Sequence, residues 1–128
     1  MKKSLVLSMV LAMAVSCGAG IITVNWDGSG DYTTIQAAIN DANDGNSVIV
    51  ADGTYTGDGN RDINFLGKAI AVKSANGPEN CIIDCQGDPC EPHRGFYFHS
   101  DEGNDSIVSG FTIANGFTDE CIADLGAP

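Results

Sequence analysis

The sequence predicts an all-β chain folded as a parallel β-helix, a solenoid of stacked coils with one short α-helix covering its N-terminal end. Three observations predict it. A single amphipathic helical stripe stands before all the repeating strands. The strands that follow are short and recur at about 7 to 15 residues, with few Asn-Gly-type hairpin signals between them. The phrase Ala75-Asn76-Gly77 returns as Ala114-Asn115-Gly116, each time closing an apolar strand. Two or three such strands make a coil of about 20 to 25 residues, the size at which coils stack and each buries its inner face on its neighbours.

The elements follow in order. Ile21 to Trp26 is rich in strand formers and reads as the first strand. Asp27 to Asp31 is a Gly-rich turn. Thr33 reads as a helix N-cap with Gln36 three residues on, a capping box in which each side chain satisfies a free backbone N–H of the first turn. Ile35, Ala38, Ile39 and Ala42 then form one stripe at helical spacing, and Gly45 supplies a left-handed C-terminal cap. After Gly45 the pattern becomes short apolar runs: Val48 to Val50, Ile63 to Phe65, Ala69 to Val72, Cys81 to Ile83, Gly95 to Phe98 and Ile107 to Ile113. Asp52-Gly53, Gly67, Asn76-Gly77-Pro78 and Gln86-Gly87 are the turns between them. The helix has a physical task in this arrangement, because the end of a coil stack otherwise leaves strand groups and core facing water.

The first 16 residues read as an export signal. Lys2 and Lys3 form a positive region, and the apolar run Leu5 to Val15 is too short to span a bilayer. Two processing readings stand side by side. Ala12-Met13-Ala14 fits ordinary signal peptidase. Ala14-Val15-Ser16-Cys17 fits a lipobox with Cys17 as the lipidated residue. The domain then runs from residue 17 to 128. Its expected place is outside the cell or at the cell surface, with an outer-membrane lipoprotein of a bacterium as the anchored alternative. A lipid anchor is one outcome; a transmembrane span is not expected.

The whole chain carries a formal charge of −11. Without residues 1–16, Arg61, Lys68, Lys73 and Arg94 stand against all 17 acids, a formal −13. Such a chain repels nucleic acid and anionic membranes. Beyond Cys17, the cysteines are Cys81, Cys85, Cys90 and Cys121, an even number in an exported chain, which favours disulfides. Free structural thiols are the alternative. A zinc site is disfavoured, because the spacings are C-x3-C and C-x4-C and no His completes a second pair.

Other candidate chemistry is sparse. Asp27, Ser29 and Asp31 mimic the start of an EF-hand loop, but Tyr32 and Ala38 occupy the positions of the required Gly and Glu, so a turn is expected. Thr33 breaks a G-x-G-x-x-G phosphate loop. Asp84, Asp88 and Glu91, or Asp101, Glu102 and Asp105, carry oxygens that suit Ca²⁺, although loop acids are more commonly solvated. No other cofactor is expected. Asp62 beside Arg61 reads as a turn pair. Strand alternation puts Tyr97 and His99 on one face and Phe96 and Phe98 on the other. Tyr97 and His99 are therefore the candidate carbohydrate face, set against the plainer reading of ordinary core and surface positions. No Ser-His-Asp or Cys-His constellation has supporting context, so no catalytic residue is assigned.

The phrase from Trp26 to Ile39, followed by Val48 to Tyr55, resembles the start of right-handed parallel β-helix proteins of the pectin-lyase-like superfamily, pectin methylesterases above all. Ile82 to Gly87, Arg94 to His99 and Ser109 to Gly116 look like large exported bacterial β-helix repeat proteins of unassigned activity. The resemblance covers residues 21–117 and implies a right-handed solenoid. It implies no active site here, because the catalytic Asp, Gln and Arg residues of the esterases lie in later coils and no segment of this chain matches them. The expectation is the N-terminal fragment of an exported protein that presents its face to polysaccharide or another cell-surface partner. The alternative is the beginning of a pectin esterase or polysaccharide lyase whose active coils lie beyond residue 128.

Overall fold

The computed structural model describes residues 19–118. The signal segment 1–16, Cys17 and Cys121 lie outside the described residues. Seven short strands and one helix follow in the order β1 (Ile21–Val24), α1 (Ile35–Asp41), β2 (Ser47–Val50), β3 (Gly53–Tyr55), β4 (Ala71–Ser74), β5 (Cys81–Asp84), β6 (Ile107–Ser109) and β7 (Thr112–Ala114). They form two parallel sheets, ordered β1-β2-β4-β6 and β3-β5-β7. The chain is thus mostly β and winds as a solenoid of about three turns. A lone parallel bridge, Ile63 to Phe96, adds a third line of contact between coils.

Register decides the core. Ile22, Val48, Val72 and Val108 pair in one row, and Val24 pairs with Val50 in the next. Val24, Val48, Val50 and Val72 are fully buried. In the second sheet Tyr55 lies beside Ile83, both in the interior. Tyr55 keeps its hydroxyl satisfied by donating to the Ala51 carbonyl at 2.9 Å. Burial, with nearby negative charge, pushes this phenol up to about 12. Rows of like apolar residues stack because parallel strands place the same pleat position directly above itself.

The helix is shorter at its start than the sequence suggested. Its N-cap is Thr34, not Thr33, and the Thr34 hydroxyl accepts from Ala37 N. Gln36 does not reach back to close a capping box. Its carboxamide spans to the next coil, accepting from Asn64 N and donating to Asn64 O, each at 2.8 Å. The first turn is completed from the same coil: Ile35 N donates to Asn60 Oδ1 and Gln36 N to the Gly59 carbonyl. At the other end Ala42, in extended conformation, is the C-cap. Gly45 does have a left-handed φ of 91°, but it serves the turn into β2. The Lys68 ammonium meets the helix's last carbonyls, donating to Ile39 O, Asn40 O and Ala42 O at 2.8, 3.0 and 2.6 Å. A cation at a helix C-terminus also complements the macrodipole. Ile35, Ala38 and Ile39 face inward, and α1 packs on β1 and β2.

Three strand expectations are corrected. Asp52-Gly53 is not simply a turn, since Gly53 begins β3. Ile63 to Phe65 and Gly95 to Phe98 supply a single bridge instead of strands. The run Ile107 to Ile113 breaks at Gly110 into β6 and β7, which belong to different sheets. Gly110 has φ 84°, and a Cβ there would lie 2.4 Å from Ser74 Oγ, so this corner admits little else. The repeated Ala-Asn-Gly phrase consequently marks unlike places, beginning just after β4 in one sheet and at the last residue of β7 in the other.

Asn60 is the buried polar residue of the described chain, joining Ile35 N to Thr56 O through its carboxamide. Its loss strands two backbone groups. Asn60→Ala is expected to lower unfolding free energy by about 1–3 kcal/mol in urea titration. Asp58→Ala, which removes an exposed pair with Arg61, should change it by no more than about 0.5 kcal/mol.

Candidate functional site

The coil that runs from β4 to β6 is the long one. Ser47 pairs with Ala71, 24 residues on, whereas Ala71 pairs with Ile107, 36 residues on. Most of the extra length lies in the connection between β5 and β6, which carries His93, Arg94, Tyr97 and His99. Both histidines of this acidic chain and one of its two arginines, Arg94, lie here, and the other arginine, Arg61, reaches the Cys85 carbonyl from the preceding coil.

The connection is pinned at its middle by Asp62. The Asp62 carboxylate accepts from Arg94 N at 2.9 Å through Oδ1 and from His93 Nδ1 at 2.6 Å through Oδ2. Its own N–H donates to the Arg94 carbonyl. Ile63 N then donates to Gly95 O, and Tyr97 N to Ile63 O. Asp62 holds a left-handed backbone, φ 51°, to make these contacts. Arg61 does not pair with Asp62 as the sequence suggested. Its guanidinium donates to Cys85 O at 3.1 Å and to Asp58 Oδ1 at 3.3 Å, while its Nε is buried without a partner.

Beyond Gly95 the side chains alternate as expected. Phe96 and Phe98 turn toward Phe65, edge to face, with centroids 6.2 and 5.0 Å away, and Phe96 also meets Phe111 at 5.9 Å. Tyr97 and His99 stack with centroids 3.9 Å apart and planes 18° from parallel. The Arg94 guanidinium lies 4.2 Å from the Tyr97 centroid. Two groups at such distances cannot share one ring face, so the phenol is sandwiched between them. Tyr97 remains 41% exposed, at its edge. A ligand therefore meets the outer imidazole face, the guanidinium and the phenol edge, not a bare phenol face.

The other candidates resolve as turn chemistry. Ser29 N donates to Asp27 Oδ1 at 2.8 Å, and the Ser29 hydroxyl first, with this backbone N–H second, holds the Asp27 carboxyl below its ordinary range. Asp31 Oδ2 accepts from Thr23 N and Oγ1. Asp84 Oδ1 accepts from Gln86 N and Asn115 Nδ2, and Asp88 Oδ1 from Cys90 N and Glu91 N. Glu102 bridges Ser100 N and Gly67 N. Among the described residues, no group of three or more His, Cys, Asp or Glu is placed to hold a metal ion, and no helix is long and apolar enough to cross a membrane.

The cysteines divide. Cys81 and Cys85 are buried free thiols, which corrects the disulfide expectation at these two positions. Both point into the core, where the Cys81 thiol lies 3.6 Å from the Ala51 carbonyl. Cys90 is not a free thiol. Burial pushes Cys81 up to about 11 and raises Cys85 as well.

What the sequence missed is the Asp62–His93 pair, whose partners are 31 residues apart. A lone Asp after an Arg gives no local sign of a partner in the next coil. Comparison with protein families, with curated proteins and with solved structures returned no match. The site stands on its geometry alone.

Two outcomes are expected. Desolvation raises the Asp62 carboxyl, but the Arg94 N–H and His93, with the charges of His93 and Arg61, outweigh it and hold the group below its ordinary value of 3.8. A depressed folded value means stability that is complete above pH 3.8 and is lost as pH falls through the lower folded value. Asp62→Asn should thus flatten the acid limb of stability against pH below about pH 4, measured by urea midpoints. For the thiols, iodoacetamide at pH 8 followed by peptide mapping should leave Cys81 and Cys85 unlabelled in folded protein and label both after unfolding.

Proposed function

We propose that this chain is part of an exported, right-handed β-helix protein that associates with carbohydrate at a cell surface, with α1 closing the N-terminal end of the stack. The observation that carries the reading is the Arg94–Tyr97–His99 stack, a flat, partly exposed aromatic and cationic edge on a pinned connection. Such an edge offers N–H and O–H donors to sugar hydroxyls and a π face to sugar C–H groups. The resemblance of the Trp26 to Ile39 phrase to exported β-helix proteins of the pectin-lyase-like superfamily supports the same class. It also supports a second reading, in which the chain begins a pectin esterase or lyase. Paired aspartates and an arginine in later coils of a longer reading frame would favour that reading.

The test is electrophoresis of the folded chain through native gels containing soluble neutral glucan, mannan or polygalacturonate. At least one polysaccharide should retard the protein. Arg94→Ala and Tyr97→Ala should each weaken that retardation measurably while leaving the far-ultraviolet circular dichroism unchanged. Equal retardation of both variants, or free migration in all three gels, would remove the carbohydrate reading from this site.

A further inference from the structure

Trp26 follows β1 in the first coil, two coils before the connection between β5 and β6. It is the single tryptophan of the chain and is 60% exposed. Its exposure is fixed in place. The indole Nε1 donates to the Asp52 carbonyl at 3.2 Å. The ring rests on Gly53, where a Cβ would come within 2.5 Å of Nε1 and where φ is 146°. One side of the indole is thus seated on backbone and the remainder is in water.

A mostly apolar groove of about 310 Å³ begins at Asn25, the residue before Trp26, and runs past Thr23, Ile49, Ala51 and Ala75. The register explains its shape. Asn25, Ala51 and Ala75 follow β1, β2 and β4 directly, and Ala51 N and Ala75 N donate to Val24 O and Val50 O of the coils before them. Small side chains in this row leave a channel across three coils. One residue further along each coil come Trp26, Asp52 and Asn76, and Asn76 Nδ2 donates to Asp52 Oδ1 at 2.9 Å. The indole is therefore the first member of a polar row that flanks the groove.

We propose that this corner is a binding subsite for a neutral hexopyranose unit of a polysaccharide, with Trp26 as the stacking platform and the groove as the path of the neighbouring unit. An indole face carries negative charge density that attracts the C–H face of a sugar ring. A pre-fixed indole loses little freedom on binding, which lowers the cost of association. The volume is that of a small-ligand cleft. Charge selects a neutral sugar: Asp27 follows Trp26, Asp52 holds its Nε1 through the backbone carbonyl and Asp31 is bound to Thr23 of the groove, against one base on this face, Lys73 beside Ile49 in register, so the net negative charge repels a uronate. The ligand class rests on the carbohydrate reading above, and the site does not.

Because the chain has one tryptophan, its emission reports on this site alone. The folded chain is titrated with cellohexaose, mannohexaose and hexagalacturonate up to millimolar concentration. A saturable change in intensity or wavelength with a neutral hexasaccharide, absent with hexagalacturonate, is expected. Calorimetry with the same neutral hexasaccharide should show at least tenfold weaker binding for Trp26→Ala. Ala75→Phe, which fills the exposed groove floor and leaves Trp26 in place, should also abolish the emission change. Tyr97→Ala should leave it intact, which separates this site from the Arg94–Tyr97–His99 stack. No response to either neutral sugar, or a stronger response to hexagalacturonate, overturns the proposal. So does an emission shift that follows protein concentration without sugar, since Trp26 would then face a second copy of the chain.

Discussion

Parallel register between coils is the constraint on which the rest of this structure depends. A single coil of two or three short strands cannot bury an apolar face by itself. Alignment of Ile22, Val48, Val72 and Val108 in one row, and of Val24 and Val50 in the next, converts four short strands into a continuous interior. A slip by one residue would turn Ile49 and Lys73 inward and the valines out. Only the paired residues must align, so the connections are free to differ in length. That freedom lets the chain carry a long excursion between β5 and β6 without disturbing either sheet.

The helix illustrates how local and distant terms combine. Seven residues are too few for a helix to persist alone in water. Its backbone is completed from the following coil, by Asn60 and Gly59 at the start, by Lys68 at the end and by Asn64 against Gln36 along its side. These contacts join residues 23 or more positions apart, so α1 and the coil after β3 hold each other in place. The first turn of the solenoid is ordered through the second.

The two surface features with chemical potential rest on the same logic. The Arg94–Tyr97–His99 stack is held by the Asp62 carboxylate reaching up one coil, at the cost of a left-handed backbone that a non-glycine residue adopts reluctantly. Trp26 is held by Asp52 and Gly53 reaching the other way. In each case an exposed ring is fixed by groups of an adjacent coil, so parallel stacking holds it rigid at the surface.

The sequence by itself determined the class of fold and the positions of α1, β2 and β5, because periodic apolar residues and Gly or Asn corners are local signals. The alternation that separates Tyr97 and His99 from Phe96 and Phe98 was legible for the same reason. Only the tertiary structure decided where Ile107 to Ile113 breaks, since the corner at Gly110 is set by the approach of Ser74 from the coil before. It also decided that Cys81 and Cys85 are core thiols, that Gln36 serves the next coil instead of its own helix, and that Asp62 belongs to His93. All of these depend on which residues stack after the coil lengths are fixed. Coil length is a property of the closed turn, and no stretch of sequence shorter than a coil contains it.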